Sequence, residues 1–278
     1  MTHTARQHVA PVAPPAVVPS SAAGFSLDQA SVTIGDRTVL HPVSLDIPVG
    51  RVTALVGHNG SGKSTLLKVL ARQIAVTSGS VHYGGQSLTA WGDRPFARKV
   101  AYLPQEAPAA AGMLVRELVA LGRYPWHGAL GRIGRHDRDR IDEALALTGT
   151  DTLADRRVET LSGGERQRVW LAMLVAQEAE CMLLDEPISA LDIGHQLEVM
   201  GLIARLSRDK GLGVLVVLHD INTAARFCDD IIALRQGRLI VRDGPAGIMT
   251  PDRLRAIYGV AMTVMRHPAS GRPVAIAE

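Results

Sequence analysis

A chain of 278 residues that is 46% hydrophobic and 21% charged has ample length for one large domain, or a domain with a subdomain, around a buried core. Its formal charge of +3 is too small to imply nucleic-acid binding without a concentrated basic strip. No apolar run approaches the ~20 residues that span a bilayer, so any membrane link runs through a partner. The two cysteines, Cys181 and Cys228, lack metal-ligand spacing and read as buried thiols of a reducing compartment.

Residues 1–24 are rich in proline and alanine, with no amphipathic period and no charged start before an unbroken apolar segment. They read as a disordered tail rather than a secretory signal, and the chain reads as cytoplasmic. Strand-like segments follow in "FSLDQASVTI", "TVLHPVSLDI" and "RVTALVG", the third nearly continuous in apolar residues, as a strand buried on both faces requires. It runs into "HNGSGKSTLLKVLARQI", a glycine loop that opens a helix. "KVAYLPQ" is a further apolar segment, and a helix-rich middle over about residues 106–160 is carried by "VRELVALGR" and "HDRDRIDEALALTGT". Next come the helix "LSGGERQRVWLAMLVAQEA", the strand "CMLLDEP" and the helix "ALDIGHQLEVMGLIARLSRDKG". The strand "GVLVVLHD", the helix "INTAARFCDD" and two edge-like strands close the region near residue 245. Strands alternating with helices predict an α/β sheet that is mostly parallel, with the helical middle as an inserted subdomain. Residues 246–278 read as a short extension, a small helix and then a tail interrupted by Pro and Gly, with packing or dimer contacts as its expected role.

The run Gly57, His58, Asn59, Gly60, Ser61, Gly62, Lys63, Ser64, Thr65 has the composition and context of a phosphate loop. Its glycines let backbone N–H groups wrap a phosphate, Lys63 reaches the outer phosphates, and the Ser64 hydroxyl suits Mg²⁺. Asp185 and Glu186 leave a buried strand at a sheet's carboxyl edge, where ligands bind in open α/β folds. Asp185 fits the magnesium-associated carboxylate of such sites. Glu186 fits a general base that polarises the attacking water, with a surface charge on a turn as the alternative. His219 follows another apolar strand and reads as a γ-phosphate contact. The Gln105 amide suits orienting water or metal, although polar residues at strand ends are common.

Kinases, GTPases and helicases share those features. The discriminating stretch is "LSGGERQR", where Ser162, Gly163 and Gly164 open a helix and make a second anion site. Ser162 with Glu165 is also a local capping box. Two phosphate-binding helix ends far apart in one chain suggest two copies, head to tail, sharing each nucleotide.

In this order the motifs resemble the nucleotide-binding subunit of an ABC transporter over residues 25–245. "GHNGSGKST" is similar to Walker A, Gln105 to the Q-loop, "LSGGERQR" to the signature and "CMLLDE" to Walker B. "SALD", ending at Asp192, is similar to the D-loop and His219 to the switch histidine. The resemblance implies a P-loop NTPase with a mostly parallel core sheet, an antiparallel β subdomain and an inserted α-helical subdomain. It implies ATP and Mg²⁺ as cofactors and an ATP-sandwich dimer. There Lys63, Ser64 and Asp185 of one chain hold phosphates and metal, while Ser162 and Gly164 reach across from the other. It also implies that Glu186 and His219 favour hydrolysis and that Gln105, near the metal, relays nucleotide state to a permease. Two positions depart from the pattern. Ile34 stands where the family usually stacks an aromatic ring on adenine, and Ile188 stands where threonine is common.

More local stretches, among them "VRELVALGRYPWHGALGR", "LVAQEAECMLLDEPISALDIGHQLEVM" and "LHDINTAARFCD", resemble iron(III)-hydroxamate (ferrichrome-type) siderophore importer ATPases. His58, where proline is frequent in the wider family, belongs to that likeness. The subgroup implies an inner-membrane permease, commonly one fused chain, with a periplasmic siderophore-binding protein as an indirect partner. It implies a place on the cytoplasmic face of that membrane. Relatives that import haem, cobalamin or catecholate siderophores share most of these features. A soluble ABC ATPase of Fe–S assembly or nucleic-acid handling is the rival from another class. Against nucleic acid stand the single ATPase unit and the aspartates that dilute the arginines of "GRIGRHDRDR". Finally, "GRYPWHGALGR" clusters Tyr124 and Trp126 in a chain that is 4% aromatic. The rings either meet a short cytoplasmic helix of the permease or pack on their own subdomain.

Overall fold

The computed structural model describes residues 24–128 and 131–278. The tail expected over residues 1–24 therefore lies outside the described residues, except for Gly24, which already belongs to the first strand.

Strands β1 (Gly24–Ile34) and β2 (Arg37–Pro48) form an antiparallel hairpin whose inward positions, Leu27, Val32, Leu40, Val43, Leu45 and Ile47, are buried. Strand β3 (Val52–Val56) is buried at every residue and leads through the glycine loop into α1 (Lys63–Leu70). The chain then returns to the hairpin as β4 (Ser78–Tyr83) and the short β5 (Gln86–Ser87), completing an antiparallel sheet of order β2-β1-β4-β5. Helix α2 (Asp93–Ala97) and strand β6 (Val100–Leu103) lead into the helical layer. That layer holds α3 (Val115–Leu121), α4 (Tyr124–His127), α5 (Arg135–Thr148) and α6 (Gly163–Ala176). Strand β7 (Cys181–Leu184), α7 (Ile193–Lys210), β8 (Gly213–Val217), α8 (Ile221–Phe227), β9 (Asp230–Arg235) and β10 (Arg238–Asp243) follow. The chain closes with α9 (Pro245–Ile248), α10 (Pro251–Tyr258), β11 (Met262–Arg266) and β12 (Pro273–Ala277).

The second sheet has the order β10-β9-β3-β8-β7-β6, with β3, β6, β7, β8 and β9 parallel and β10 antiparallel to β9. Alternate residues of its strands face opposite sides. Ala54, Val56, Met182, Leu184, Val214 and Val216 pack with the helical layer, whereas Leu55, Leu183, Leu215 and Val217 pack with α1 and the antiparallel sheet. Burial on both faces is why these strands read as nearly unbroken apolar runs.

Three expectations need correction. The pair of edge-like strands is one edge and one interior strand: β9 is buried over Asp230–Leu234 because it pairs with both β3 and β10. The helical layer does not end near residue 160. Helix α6 buries Val169, Trp170, Leu171, Ala172 and Leu174 against Leu118, Val119, Ile141 and Leu145, so it belongs to the layer up to Ala176. The Pro/Gly-interrupted tail is a β-hairpin, β11–β12, because His267–Gly271 closes a turn and Ala275 is buried against the core. Both cysteines are buried free thiols, and burial pushes the Cys181 thiol up to about 12.

The aromatic stretch lies in the helical layer. Arg123, between α3 and α4, is 1% exposed, and its guanidinium donates to Asp137 Oδ1 (2.9 Å), Glu178 Oε2 (2.6 Å) and the Ala176 carbonyl (2.7 Å). Trp126 stacks under Arg123 and Arg98, with guanidinium carbons 5.2 and 4.9 Å from its ring centroid. Its Nε1 donates to the Gln177 carbonyl at 2.8 Å. Trp126 is thus fastened from within the chain yet stays 38% exposed, beside Tyr124 at 50% and Leu121 at 52%.

Candidate functional site

Four loops leave the carboxyl edge of the parallel sheet side by side, because Leu103 pairs with Leu184, Leu184 with Val216 and Val217 with Leu55. The first loop follows β3. Gly57 adopts φ 140°, and a Cβ there would lie 2.0 Å from the Leu234 carbonyl oxygen, so only glycine passes β9. Lys63 is 5% exposed and donates Nζ to the carbonyls of Gly57 (2.8 Å) and His58 (2.9 Å), which curls the loop over the lysine. Burial holds its ammonium below the usual pKa, against the opposing pull of the Glu186 and Asp185 carboxylates. His58, Asn59 and Gly60 are exposed, Ser61 is buried, and Gly62 at φ 96° turns the chain into α1. Ser64 and Thr65 lie half-buried in the first turn of that helix, whose leading N–H groups have no intrahelical acceptor.

The second loop follows β7. Asp185 is 2% exposed, its Oδ1 accepts from Ser64 Oγ at 3.0 Å, and its N–H donates to the Leu103 carbonyl at 2.9 Å. Burial pushes its carboxyl above the ordinary value, the Ser64 hydrogen bond pulls it back, and the neighbouring Glu186 charge adds to the rise. Glu186 then takes φ 52°, a left-handed conformation that costs a residue with a Cβ about 1–2 kcal/mol. Such strain persists only where surrounding structure over-determines it. Glu186 Oε2 accepts from Gln105 Nε2 at 2.8 Å, and Oε1 lies 2.6 Å from His219 Nε2. Gln105 comes from the loop after β6 and His219 from the loop after β8, so all four loops meet. The Glu186 side chain is 11% exposed, and little water competes for it.

The three residues expected near a metal divide two and one. Ser64 and Asp185 already touch through oxygen, the donor type a hard cation prefers. The Gln105 amide nitrogen is given to Glu186, which leaves only Oε1 for a cation. Among the described residues no group of three or more His, Cys, Asp or Glu is assembled for a metal. An ion at Ser64 and Asp185 would complete its shell from phosphate and water, the habit of Mg²⁺.

The signature stretch stands elsewhere. Ser162 caps α6, accepting from the Glu165 N–H at 3.3 Å while Glu165 Oε2 accepts from the Ser162 N–H at 2.9 Å. These bonds hold the Glu165 carboxyl below the ordinary value. Gly163 and Gly164 form the first turn, and a Cβ on Gly164 would sit 2.4 Å from His195 Cδ2. The His195 ring is bonded in turn to Asp192 (Nδ1 to Oδ2, 2.8 Å), and Asp192 Oδ1 accepts from the His195 N–H at 3.0 Å to cap α7. His195 thus joins the signature turn to Asp192, a link the motif reading missed. Its signal was an N-cap Asp followed three residues later by His. Among the described residues, no hydrogen bond joins Ser162, Gly163 or Gly164 to residues 57–65 of the same chain.

A family model described as ABC transporter matches residues 40–189. The chain belongs to the ABC transporter family. As an ABC ATPase it binds and hydrolyses ATP. The iron(3+)-hydroxamate import ATP-binding protein FhuC of Bacillus subtilis is 40% identical over 91% of this chain and 94% of its own length. The ferric enterobactin transport ATP-binding protein FepC of Escherichia coli is 39% identical over 90% and 92%. The hemin import ATP-binding protein HmuV of Rhodococcus jostii is 42% identical over 94% and 88%. In shape the chain is similar to one from a metal-chelate type ABC transporter in an inward-facing conformation, with TM-score 0.81 at 23% identity over 93% of this chain and 98% of that one. It is also similar to a dimeric ATP-binding cassette bound to ADP and Pi, with TM-score 0.69 at 28% identity over 80% and 98%.

The two departures from the ABC pattern have different settings. Ile34 is 57% exposed at the tip of the β1–β2 hairpin, paired with Arg37. The same hairpin flanks the glycine loop, since the Val39 carbonyl lies 3.1 Å from where a Gly62 Cβ would be. Ile188 is 8% exposed within the helical-side core, which accounts for an apolar residue there. A cavity of about 420 Å³ opens beside the glycine loop, lined by Gly57, His58, Asn59, His219 and Tyr258. A larger one, about 570 Å³, lies between α5, α6 and α7 and contains none of these groups. No described helix is long and apolar enough to cross a membrane.

Proposed function

We propose that this chain is the ATP-hydrolysing subunit that powers import of iron chelates, iron(III)-hydroxamate siderophores first among them, through an inner-membrane permease. The observation that carries the hydrolytic part is the Glu186 carboxylate, held at one oxygen by Gln105 and at the other by His219. Residues Gly57–Thr65 would hold the phosphates, and Ser64 and Asp185 would hold a Mg²⁺ ion, which when bound would supply charge neutralisation at the phosphate oxygens. Glu186 takes a proton from the attacking water. His219 exchanges Glu186 for the terminal phosphate, which frees Oε1 for that proton, while Gln105 keeps the carboxylate oriented. Ser162 and Gly164 of a second copy complete the site, in keeping with their lack of bonds to the loop of their own chain and with the likeness to a dimeric cassette.

The cargo reading rests on the relatives, since hydroxamate, enterobactin and hemin import proteins all match nearly the full chain. The hemin relative, at 42% identity, supports haem as the second reading. The subunit would sit on the cytoplasmic face of the membrane, with exposed Tyr124 and Leu121 offered to the permease. A periplasmic binding protein would deliver the cargo. Deleting the gene and supplying ferrichrome, a catecholate siderophore or haem as sole iron source tests this. A defect confined to hydroxamates is expected, a haem defect selects the second reading, and normal growth on all three sinks iron import.

Ile34 offers a separate measurement. If adenine lies against the β1–β2 hairpin, Ile34→Tyr restores a stacking ring worth about 1–3 kcal/mol and lowers the KM for ATP roughly tenfold. An unchanged or higher KM counts against that placement.

A further inference from the structure

Helix α10 ends at Tyr258, and Gly259 at φ 76° stops it. The last carbonyls of a helix have no intrahelical donor. Here two of them are taken by side chains of the ATPase core. Arg235, at the end of β9, donates to the Ala256 carbonyl at 2.8 Å, and His58 Nε2 donates to the Tyr258 carbonyl. A carbonyl only accepts, so His58 carries its proton on Nε2. The His58 and Tyr258 rings also meet edge to face, with centroids 5.7 Å apart, and both line the cavity beside the phosphate loop. A second fastening lies past His219. In the first turn of α8, Asn222 Oδ1 accepts from the Ala275 N–H (2.8 Å) and Nδ2 donates to the Ala275 carbonyl (3.0 Å), pairing with β12 as a strand would. The loop that carries Lys63 and the segment that follows His219 are thus tied to one C-terminal extension.

We propose that this extension positions the phosphate loop. Docking of α10 through His58 holds the loop in the conformation that accepts the outer phosphates of ATP, so nucleotide binding and α10 docking strengthen each other. His58 and Arg235 then act as positioning residues, Arg235 from outside the nucleotide site. The proposal rests on the assignment of residues 57–65 as the phosphate loop. Lys63→Ala tests that assignment separately, and full ATP binding by that variant would sink the assignment itself.

The test uses the full-length protein, with ATP titrated in steady-state hydrolysis and hydrogen exchange followed over residues 251–258 with and without ATP and Mg²⁺. Arg235→Ala is expected to raise KM roughly 3- to 10-fold, the worth of one hydrogen bond, with kcat within about twofold, and His58→Ala, inside the loop itself, to raise KM at least as much. His58→Gln, which keeps a donor, should recover part of the KM lost in His58→Ala. ATP should slow exchange in α10 of the parent protein but not of His58→Ala. If the alanine variant fails to fold, His58→Pro removes the donor with a residue frequent here in the wider family. Unchanged KM in both variants would overturn the proposal. So would a raised KM in His58→Ala alone, which would put His58 on the nucleotide directly, or ATP-dependent protection of α10 that survives loss of His58.

Discussion

Glu186→Gln is expected to bind ATP with near-parental affinity while steady-state hydrolysis falls by about 10²- to 10⁴-fold, the usual worth of a positioned general base. Binding survives because the expected phosphate and metal contacts come from Lys63, Ser64 and Asp185, which the substitution leaves in place. The amide retains a carbonyl oxygen that still accepts from Gln105, but it has no basic oxygen for the water proton. With hydrolysis stopped, ATP holds two chains together, so ATP and Mg²⁺ should move the variant to a dimer on size exclusion while the parent remains mostly monomeric. Full turnover by Glu186→Gln would remove Glu186 from the role of base.

Arg123→Met should be the most damaging change outside the site. The guanidinium is 1% exposed and neutralises Asp137 and Glu178 while capping α6 at the Ala176 carbonyl. Breaking a buried ion pair by removing one partner costs about 3–5 kcal/mol, here chiefly because Asp137, 14% exposed, keeps a poorly solvated charge, whereas Glu178 at 37% is partly solvated. For a chain of this size that corresponds to a Tm lower by about 10 °C. The effect carries a pH signature. Burial alone would raise the Asp137 carboxyl, but the Arg123 and Gly134 hydrogen bonds outweigh it and hold the carboxyl below its ordinary 3.8. A depressed carboxyl contributes stability above the unfolded-state value, and that contribution fades as pH falls through the folded one. The Tm gap between parent and variant should therefore be widest near neutrality and narrow below pH 3.8. A gap independent of pH would mean that packing over Trp126, and not charge, is what Arg123 supplies.

The parts of the site that a reader could take from the chain are those whose chemistry is local. A buried strand, a glycine loop and a helix must be contiguous to wrap a phosphate, so Gly57–Thr65 is a single word in the sequence. Ser162 with Glu165 is equally local, a capping box closed within one turn. What stayed hidden involves partners far apart along the chain. Nothing in "HDRDR" marks Asp137 as the partner of Arg123, because that pairing exists only once α3 and α5 are packed together. β9 looked like an edge because its neighbours β3 and β10 come from opposite sides of the sequence. The tail past residue 258 looked formless because a two-stranded hairpin is marginal alone and needs a surface such as α8 to rest on.

Periodicity and contiguous motifs were thus enough to specify a parallel α/β core, the glycine loop before α1, the paired carboxylates and the capped signature helix, since each is encoded within a few turns or one strand. Folding alone brought Gln105, Glu186 and His219 to one carboxylate, placed His195 against Gly164, and set Tyr258 over His58. Those contacts depend on strand order and on the packing of a C-terminal extension, which no local preference encodes. They form only once the sheet is buried on both faces and its strand order is in place.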